Sequence, residues 1–323
     1  MSERDGDLLR VRNLKTYFYT YRGVVKALEG VNFDVGREET MGLVGETGCG
    51  KSVTSLSILR LIQYPGKILE GEIFFEDRDL LKLSEEEMRT IRGNQISMIF
   101  QEPGVALNPC LRIGFQIAET ISIHQDLTIK EAIDPAIEML RVVGIPDPEK
   151  IVKAYPHELS GGMAQRAMIA TMLSTKPKLL MADEPTSSLD VTIQAQILRL
   201  LKDLIKEVQA SVLLITHDLG VVAETCDKVT VMYAGLVAES SDVRSILKNP
   251  QHPYTQGLLK ALPRPGERGE LHTIPGLVPD LVNPPSGCRF HPRCPHAMKK
   301  CSKEQPPMFK AKAGHQVACF LYE

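Results

Sequence analysis

The chain has 323 residues, 43% of them hydrophobic, and 38 Lys and Arg stand against 40 Asp and Glu for a formal net charge of -2. That length holds one large α/β domain and a smaller appendage at roughly 100 to 200 residues per domain, and the balanced charge lacks the basic excess of a general nucleic-acid binder, so nucleic acid is excluded as a partner. The start from Met1 to Arg10 is polar and charged, and no apolar run approaches the ~18 residues of a spanning helix, which predicts neither a secretory signal nor a membrane span and a cytosolic chain that can sit on something that does span.

Alternation of apolar and polar residues predicts strands over Leu9–Leu14 and Val24–Val35, with a turn at Tyr21-Arg22-Gly23. Tyr17, Phe18 and Tyr19 precede that turn, and Phe18 is the candidate for stacking on a nucleotide base, although aromatic residues in strands also serve as packing. The apolar run Thr40-Met41-Gly42-Leu43-Val44 then leads into Gly45-Glu46-Thr47-Gly48-Cys49-Gly50-Lys51-Ser52, a full match to G-x-x-x-x-G-K-[ST]. Gly45, Gly48 and Gly50 allow turns where a Cβ would clash, so successive N–H groups and the N-terminus of the following helix point at one anion. The ligand is a polyphosphate: Lys51 supplies a mobile positive charge for its β- and γ-phosphates, and the Ser52 hydroxyl is placed to ligate Mg²⁺.

Helical spacing continues from Ser52 through Val53 to Leu61, and Gly71–Phe75 reads as an edge strand. A strand from Gln95 runs into a loop at Gln101-Glu102-Pro103, because a proline restricts the residue before it. From Leu111 to Gly144 the pattern is helical, with Thr128 as N-cap, Glu131 three residues on and Gly144 as the stop. Ser160-Gly161-Gly162 opens a helix over Met163–Leu173, a second anion-binding helix end. Lys178–Ala182 is a buried strand that ends in Asp183 and Glu184, where parallel sheets bind ligands. Asp183 would hold Mg²⁺ directly or through water, and Glu184 would orient or deprotonate the attacking water. Thr192–Val208 is an amphipathic helix, and the strand Ser211–Ile215 ends at Thr216-His217-Asp218, which makes His217 a contact for the γ-phosphate.

Together and in this order, these pieces across about residues 8 to 250 resemble the nucleotide-binding subunit of ATP-binding cassette (ABC) transporters. Gly45 to Ser52 matches Walker A, Gln101 the Q-loop, Leu159 to Arg166 the signature with Met163 at the usual Gln, Asp183-Glu184 Walker B, Ser187 to Asp190 the D-loop and His217 the switch histidine. The resemblance implies a P-loop α/β fold with a parallel core sheet, an antiparallel β subdomain and a helical subdomain over about 104–176, the whole ATPase domain spanning 1–250. It implies ATP and Mg²⁺ as ligands. The ATP contacts are Phe18, Gly45, Glu46, Thr47, Gly48, Cys49, Gly50, Lys51, Ser52, Val53, Ser160, Gly161, Gly162, Gln165 and Asp190, and the Mg²⁺ ligands Ser52, Gln101 and Asp183. Glu184, His217 and Gln101 are the catalytic set. A second cassette subunit, taken as a paralogue, pairs head to tail with this one so that ATP is clamped from both sides. Beyond residue 250 the resemblance narrows to the oligopeptide and dipeptide importer group, through His252-Pro253-Tyr254-Thr255, Leu258-Leu259, Ala261-Leu262-Pro263, Ile274-Pro275-Gly276 and Gly287 to Pro295. That implies two permease subunits, an extracytoplasmic solute-binding protein and a place on the cytoplasmic face of the cell membrane. Oligosaccharides or nickel are alternative cargoes within this class, and a soluble ABC ATPase outside transport is the remaining alternative.

Four of the seven cysteines crowd into the appendage at 251–323 as Cys288-x5-Cys294-x6-Cys301-x17-Cys319, in a Pro-rich stretch with little apolar pattern of its own. A metal would supply stability that such a stretch cannot draw from a core. Four thiolates suit a [4Fe-4S] cluster or tetrahedral Zn²⁺. Zinc sites mostly use C-x2-4-C knuckles, shorter than either close gap here, and the importer resemblance also favours the cluster.

Overall fold

The computed structural model describes residues 6–187, 189–262, 273–312 and 314–323. Met1 to Asp5 of the polar start, Ser188 of the D-loop segment and Pro263 of the Ala261–Pro263 run lie outside the described residues.

In chain order, β1 (Asp7–Thr20) and β2 (Gly23–Gly36) form a long hairpin, followed by β3 (Thr40–Val44) and α1 (Lys51–Ile58) on either side of the glycine-rich loop. Next come β4 (Gly66–Phe75), β5 (Arg78–Asp79), α2 (Glu85–Ile91) with a Ser84/Glu87 capping box, and β6 (Ile96–Ile99). A helical run follows: α3 (Pro103–Ala106), α4 (Ile113–His124), α5 (Ile133–Val142), α6 (Pro148–Ile151) and α7 (Gly161–Leu173). Thr128 and Glu131 exchange the reciprocal bonds of a capping box ahead of α5, and Gly144 stops the chain beyond α5 at a φ of 71°. The strand β7 (Leu179–Asp183), α8 (Val191–Val208), β8 (Ser211–Thr216), α9 (Leu219–Thr225), β9 (Lys228–Tyr233) and β10 (Leu236–Asp242) complete the nucleotide-binding part. After α10 (Val243–Lys248), the appendage adds α11 (Pro253–Lys260), β11 (Phe309–Lys312) and β12 (His315–Val317).

The chain divides into two compact units, one of Met1–Lys82 with Leu214–Glu323 and the other of Leu83–Leu213. In the first, β2, β1, β4 and β5 make an antiparallel sheet. Gly71–Phe75 is therefore not an edge: it is the end of a ten-residue strand paired with β1 on one side and, over two residues, with β5 on the other. The short turn after Phe75 folds Arg78-Asp79 back onto the strand, a local event that alternation does not report. The same unit holds β3 parallel to β9, so the loop after Val44 leaves the carboxyl end of a parallel strand, the end at which such sheets bind ligands. β9, β10, β12 and β11 continue as an antiparallel ribbon. In the second unit β6 and β7 are parallel, both wholly buried, and the helices from α3 to α7 stand between them in sequence.

The core of the first unit gathers Val44, Val222, Val229, Val231 and Tyr233 with Tyr254 and Phe290 from the appendage. The rings of Tyr233, Tyr254 and Phe290 meet pairwise at centroid distances of 4.6, 5.1 and 5.4 Å. Burying rings of this size contributes ~1.5–3 kcal/mol each, so the appendage shares an existing core instead of building its own.

Candidate nucleotide site and thiol pocket

The phosphate loop is closed by backbone geometry. A Cβ on Gly45 would overlap the carbonyl oxygen of Met232 in β9 and stand 2.7 Å from the Cys49 sulfur. Gly50, at a φ of 107°, would press a Cβ to 2.8 Å from the Ala27 carbonyl and 2.7 Å from Leu28. Both positions are cradles that only glycine leaves open. Gly48 has a φ of 83° and open space around it, so there the need is the left-handed backbone alone. Lys51 is buried, and its ammonium donates to the Gly45 carbonyl at 2.7 Å and the Glu46 carbonyl at 3.3 Å, inside the curl of the loop. Thr47, Gly48 and Ser52 face solvent at the loop mouth and Val53 is half-buried behind it. Cys49 enters only through its backbone: its side chain is wholly buried and burial pushes the thiol up. Phe18, half-buried on β1, lies against Gly66, where a Cβ would come 2.7 Å from its ring. His217 is exposed just past β8, ahead of Asp218, whose carboxylate caps α9 by accepting from Gly220 and Val221.

The second unit carries the acids. Asp183 is buried at the end of β7, and Glu184 follows at a φ of 44°. A left-handed glutamate is uncommon. Gln101, exposed beyond β6, donates from Nε2 to Glu184 Oε2 at 3.4 Å. The two parallel strands thus place the Q-loop amide beside the expected water-handling carboxylate. Ser160 caps α7, its hydroxyl accepting from the Met163 N–H at 3.4 Å, with Ser160 and Gly161 exposed at the helix mouth. Gln165 is fully buried, and its amide donates to the Pro185 carbonyl at 2.7 Å, so it faces the turn after the acids and not solvent. Asp190, exposed, caps α8 by accepting from Ile193 N–H at 3.1 Å.

Two family descriptions match the chain: ABC transporter over residues 28–187, and the C-terminal region of oligopeptide/dipeptide transporters over 238–301. The chain is 54% identical to the oligopeptide transport ATP-binding protein AppD of Bacillus subtilis, over 98% of its own length and 97% of that protein's. It belongs to the ABC transporter ATPases. Among its relatives in this family, the dipeptide transport ATP-binding protein DppD of Escherichia coli is 46% identical over 97% of this chain and 96% of that one. Of solved structures, the ATP-binding cassette MJ0796, in a dimeric post-hydrolysis state bound to ADP and Pi, is 26% identical with a TM-score of 0.65, covering 73% of this chain and 99% of its own. Structure cbiO1 from Clostridium perfringens, part of an ABC transporter complex, is 27% identical with a TM-score of 0.62, covering 76% of this chain and 92% of its own. The fold is that of an ABC ATPase, and members of this family hydrolyse ATP with Mg²⁺; the glycine cradle and the Lys51 ammonium of the first unit fit a phosphate.

In this ABC ATPase, Cys288, Cys294, Cys301 and Cys319 all line one pocket with His252, His291 and His296. Burial pushes the Cys288 thiol up to about 11, and the other three cysteines add to the rise. Cys294 and Cys319 are raised in the same way, by burial first and then by neighbouring thiols. Among the described residues, however, no three His, Cys, Asp or Glu side chains are gathered closely enough to hold an ion, so the expected four-thiolate site is a shared pocket here and not a formed ligand set.

Sequence reasoning missed a second contact to the phosphate loop. Arg293 forms a bidentate pair with the Glu46 carboxylate at 2.7 and 3.0 Å, and the Tyr254 hydroxyl accepts from the Glu46 N–H at 2.9 Å. Both residues stand in the quoted importer motifs, but nothing in the residue pattern names a partner 247 positions away.

Proposed function

We propose that the chain is the ATP-hydrolysing motor subunit of a membrane importer of di- and oligopeptides, bound to the cytoplasmic face of the membrane. The near full-length 54% identity to an oligopeptide transport ATP-binding protein, including the C-terminal region, carries this reading. No helix among the described residues is long and apolar enough to cross a membrane, so movement of cargo falls to partners: two permeases, a solute-binding protein outside, and a second, paralogous cassette paired head to tail.

In this reading residues 1–250 are the ATPase domain, with a helical subdomain over about 104–176, and 251–323 the importer extension. The N–H groups of Gly45 to Ser52 and the Lys51 ammonium cradle the phosphates of ATP, and Phe18 stacks on the base. Mg²⁺, when bound, neutralises charge on the phosphates, and Ser52, Gln101 and Asp183 are the residues that would hold it. Glu184 takes the proton of the attacking water, with Gln101 holding the carboxylate in place and His217 donating to the γ-phosphate. Ser160, Gly161, Gly162 and Asp190 complete the partner's site across the pair, with Gln165 supporting the turn behind. Closure of the pair on ATP converts binding free energy into movement.

Cys288, Cys294, Cys301 and Cys319 would hold one [4Fe-4S] cluster with a structural role; that all four thiols line one pocket supports it, and Zn²⁺ is the alternative.

The experiment is uptake: vesicles carrying the full complex, loaded with ATP, should accumulate labelled di- or oligopeptide, and lose it in Lys51→Ala. ATP-driven uptake of an oligosaccharide or nickel but no peptide would move the cargo assignment, and turnover indifferent to the permeases would remove the transport role.

A further inference from the structure

We propose that the C-terminal extension is a positioning clamp for the phosphate loop, with Arg293 and Tyr254 as positioning residues that fix Glu46 and thereby set nucleotide affinity. The proposal rests on the reading of Gly45 to Ser52 as the ATP loop. Glu46 is gripped by the extension on both its main chain and its side chain. Its N–H points to the Tyr254 hydroxyl, and its carboxylate lies flat against the Arg293 guanidinium. Arg293 is itself locked: Nε donates to the Pro275 carbonyl at 3.0 Å, a terminal nitrogen to the Ile274 carbonyl at 3.3 Å, and the guanidinium stands over the Tyr233 ring at 5.7 Å. Tyr254 is fully buried, so its hydroxyl cannot swing away. A charge-assisted fork held this way carries orientation as well as attraction.

A second grip acts on the other end of the loop. The Cys49 carbonyl accepts from the Gly235 N–H at 2.8 Å, and the carbonyl of Ala234, one residue earlier, accepts from Arg289. Arg289 also pairs with Glu29 at 3.2 Å, tying that turn to β2. Gly235 must be glycine: at a φ of 82° a Cβ would meet the Ala27 carbonyl at 2.6 Å. Arg289 and Arg293 are the first and last of the five residues between Cys288 and Cys294, so one short segment of the extension reaches Glu46 at one end of the loop and the turn that supports its other end. A segment needed only to cover the core would be served by Tyr254 and Phe290; the two buried arginines aimed at the loop and its supporting turn are what a covering role leaves unexplained.

The test is a double-mutant cycle on the full chain with a fluorescent ATP analogue and Mg²⁺, read with amide hydrogen exchange of residues 45–51. Arg293→Gln and Glu46→Gln should each weaken MgATP roughly tenfold, and the double variant should be no weaker than either single one. The swapped pair Glu46→Arg with Arg293→Glu should recover part of the loss. Tyr254→Phe keeps the ring and should speed exchange of the Glu46 amide while weakening binding by about three- to fivefold. If Arg293→Gln lowers the melting temperature yet binds MgATP within twofold of wild type with unchanged exchange over 45–51, Arg293 is only structural and the proposal falls. Additive losses in the cycle would also overturn it. Should the wild-type chain itself fail to bind MgATP, the ATP reading fails, and the clamp is then judged by exchange alone, which must quicken over 45–51 in Arg293→Gln.

Discussion

Replacing Gly45 by Ala isolates the part of the site that is pure geometry. Gly45 is not left-handed, so the added methyl brings no backbone strain of its own; it collides with the Met232 carbonyl and approaches the Cys49 sulfur to 2.7 Å, about 1 Å inside ordinary contact of ~3.5–4.0 Å. Met232 cannot yield, because β9 is paired with β3 on one side and with β10 on the other. The loop must therefore move by about an ångström, and with it the Gly45 carbonyl that receives Lys51 at 2.7 Å. Overpacking of this kind costs ~1–3 kcal/mol, and a misplacement of ~1 Å in a binding constellation costs on the order of a hundredfold. MgATP affinity should accordingly fall ~10- to 100-fold, or ~1.4–2.8 kcal/mol, measured by titration with a fluorescent nucleotide on protein shown folded by circular dichroism. Adding Cys49→Ala relieves the sulfur contact but leaves the main-chain carbonyl, so affinity should stay low. Affinity within twofold of wild type in Gly45→Ala, or full recovery in the double variant, would refute the carbonyl as the cause.

Three further outcomes are expected. Glu184→Gln preserves the side-chain shape and the contact with Gln101 but removes the base, so nucleotide affinity should hold while steady-state phosphate release in the assembled complex drops at least ~100-fold; turnover within about twofold of wild type would assign the base elsewhere. The exposed residues Val105 and Ile123, on the helical run beyond Gln101, should crosslink as cysteines to cytoplasmic permease loops with a yield that changes on ATP addition, whereas Ile117 and Ile121 are buried and should not; crosslinks found only elsewhere on the cassette would place the permease surface wrongly. Anaerobically purified protein should carry about four iron per chain and absorb broadly near 400 nm, and Ser at Cys288, Cys294, Cys301 or Cys319 should each lose the iron and expose the extension to proteolysis; about one zinc and no iron would leave a zinc staple in its place.

What could be read from the residues was whatever a local rule dictates. The phosphate loop has fixed offsets, and the buried run before Asp183 ends where a parallel strand must stop. The helices expected over Met163–Leu173 and Thr192–Val208 are there, starting at Gly161 and Val191 behind the caps Ser160 and Asp190. Boundaries were lost where two local preferences agreed with more than one answer. The aromatic cluster at Tyr17–Tyr19 fits a strand or a base platform, and β1 runs straight through it to Thr20. The left-handed turn at Glu184 left no mark at all, since glutamate carries no left-handed preference to read.

The extension was misjudged for a different reason, and that reason bears on function. Read alone, the Pro-rich stretch from Cys288 to Cys319 shows little apolar pattern of its own, which points to a metal for stability that a core would otherwise give. In the fold, Phe290 and Tyr254 borrow the core behind β9, and Glu239, wholly buried on β10, accepts from the Gln251 and His252 N–H groups and meets His315 Nε2 at 2.6 Å. A buried carboxylate with three partners is costly to leave half-paired, so the sheet and the extension are tied to one another from both sides. The segment between Cys288 and Cys294 is then held at its rear by the core and at its front by the phosphate loop through Arg293. A thiol site on such a segment stabilises the extension and, through it, the register of two arginines against a loop in which a misplacement of ~1 Å costs on the order of a hundredfold.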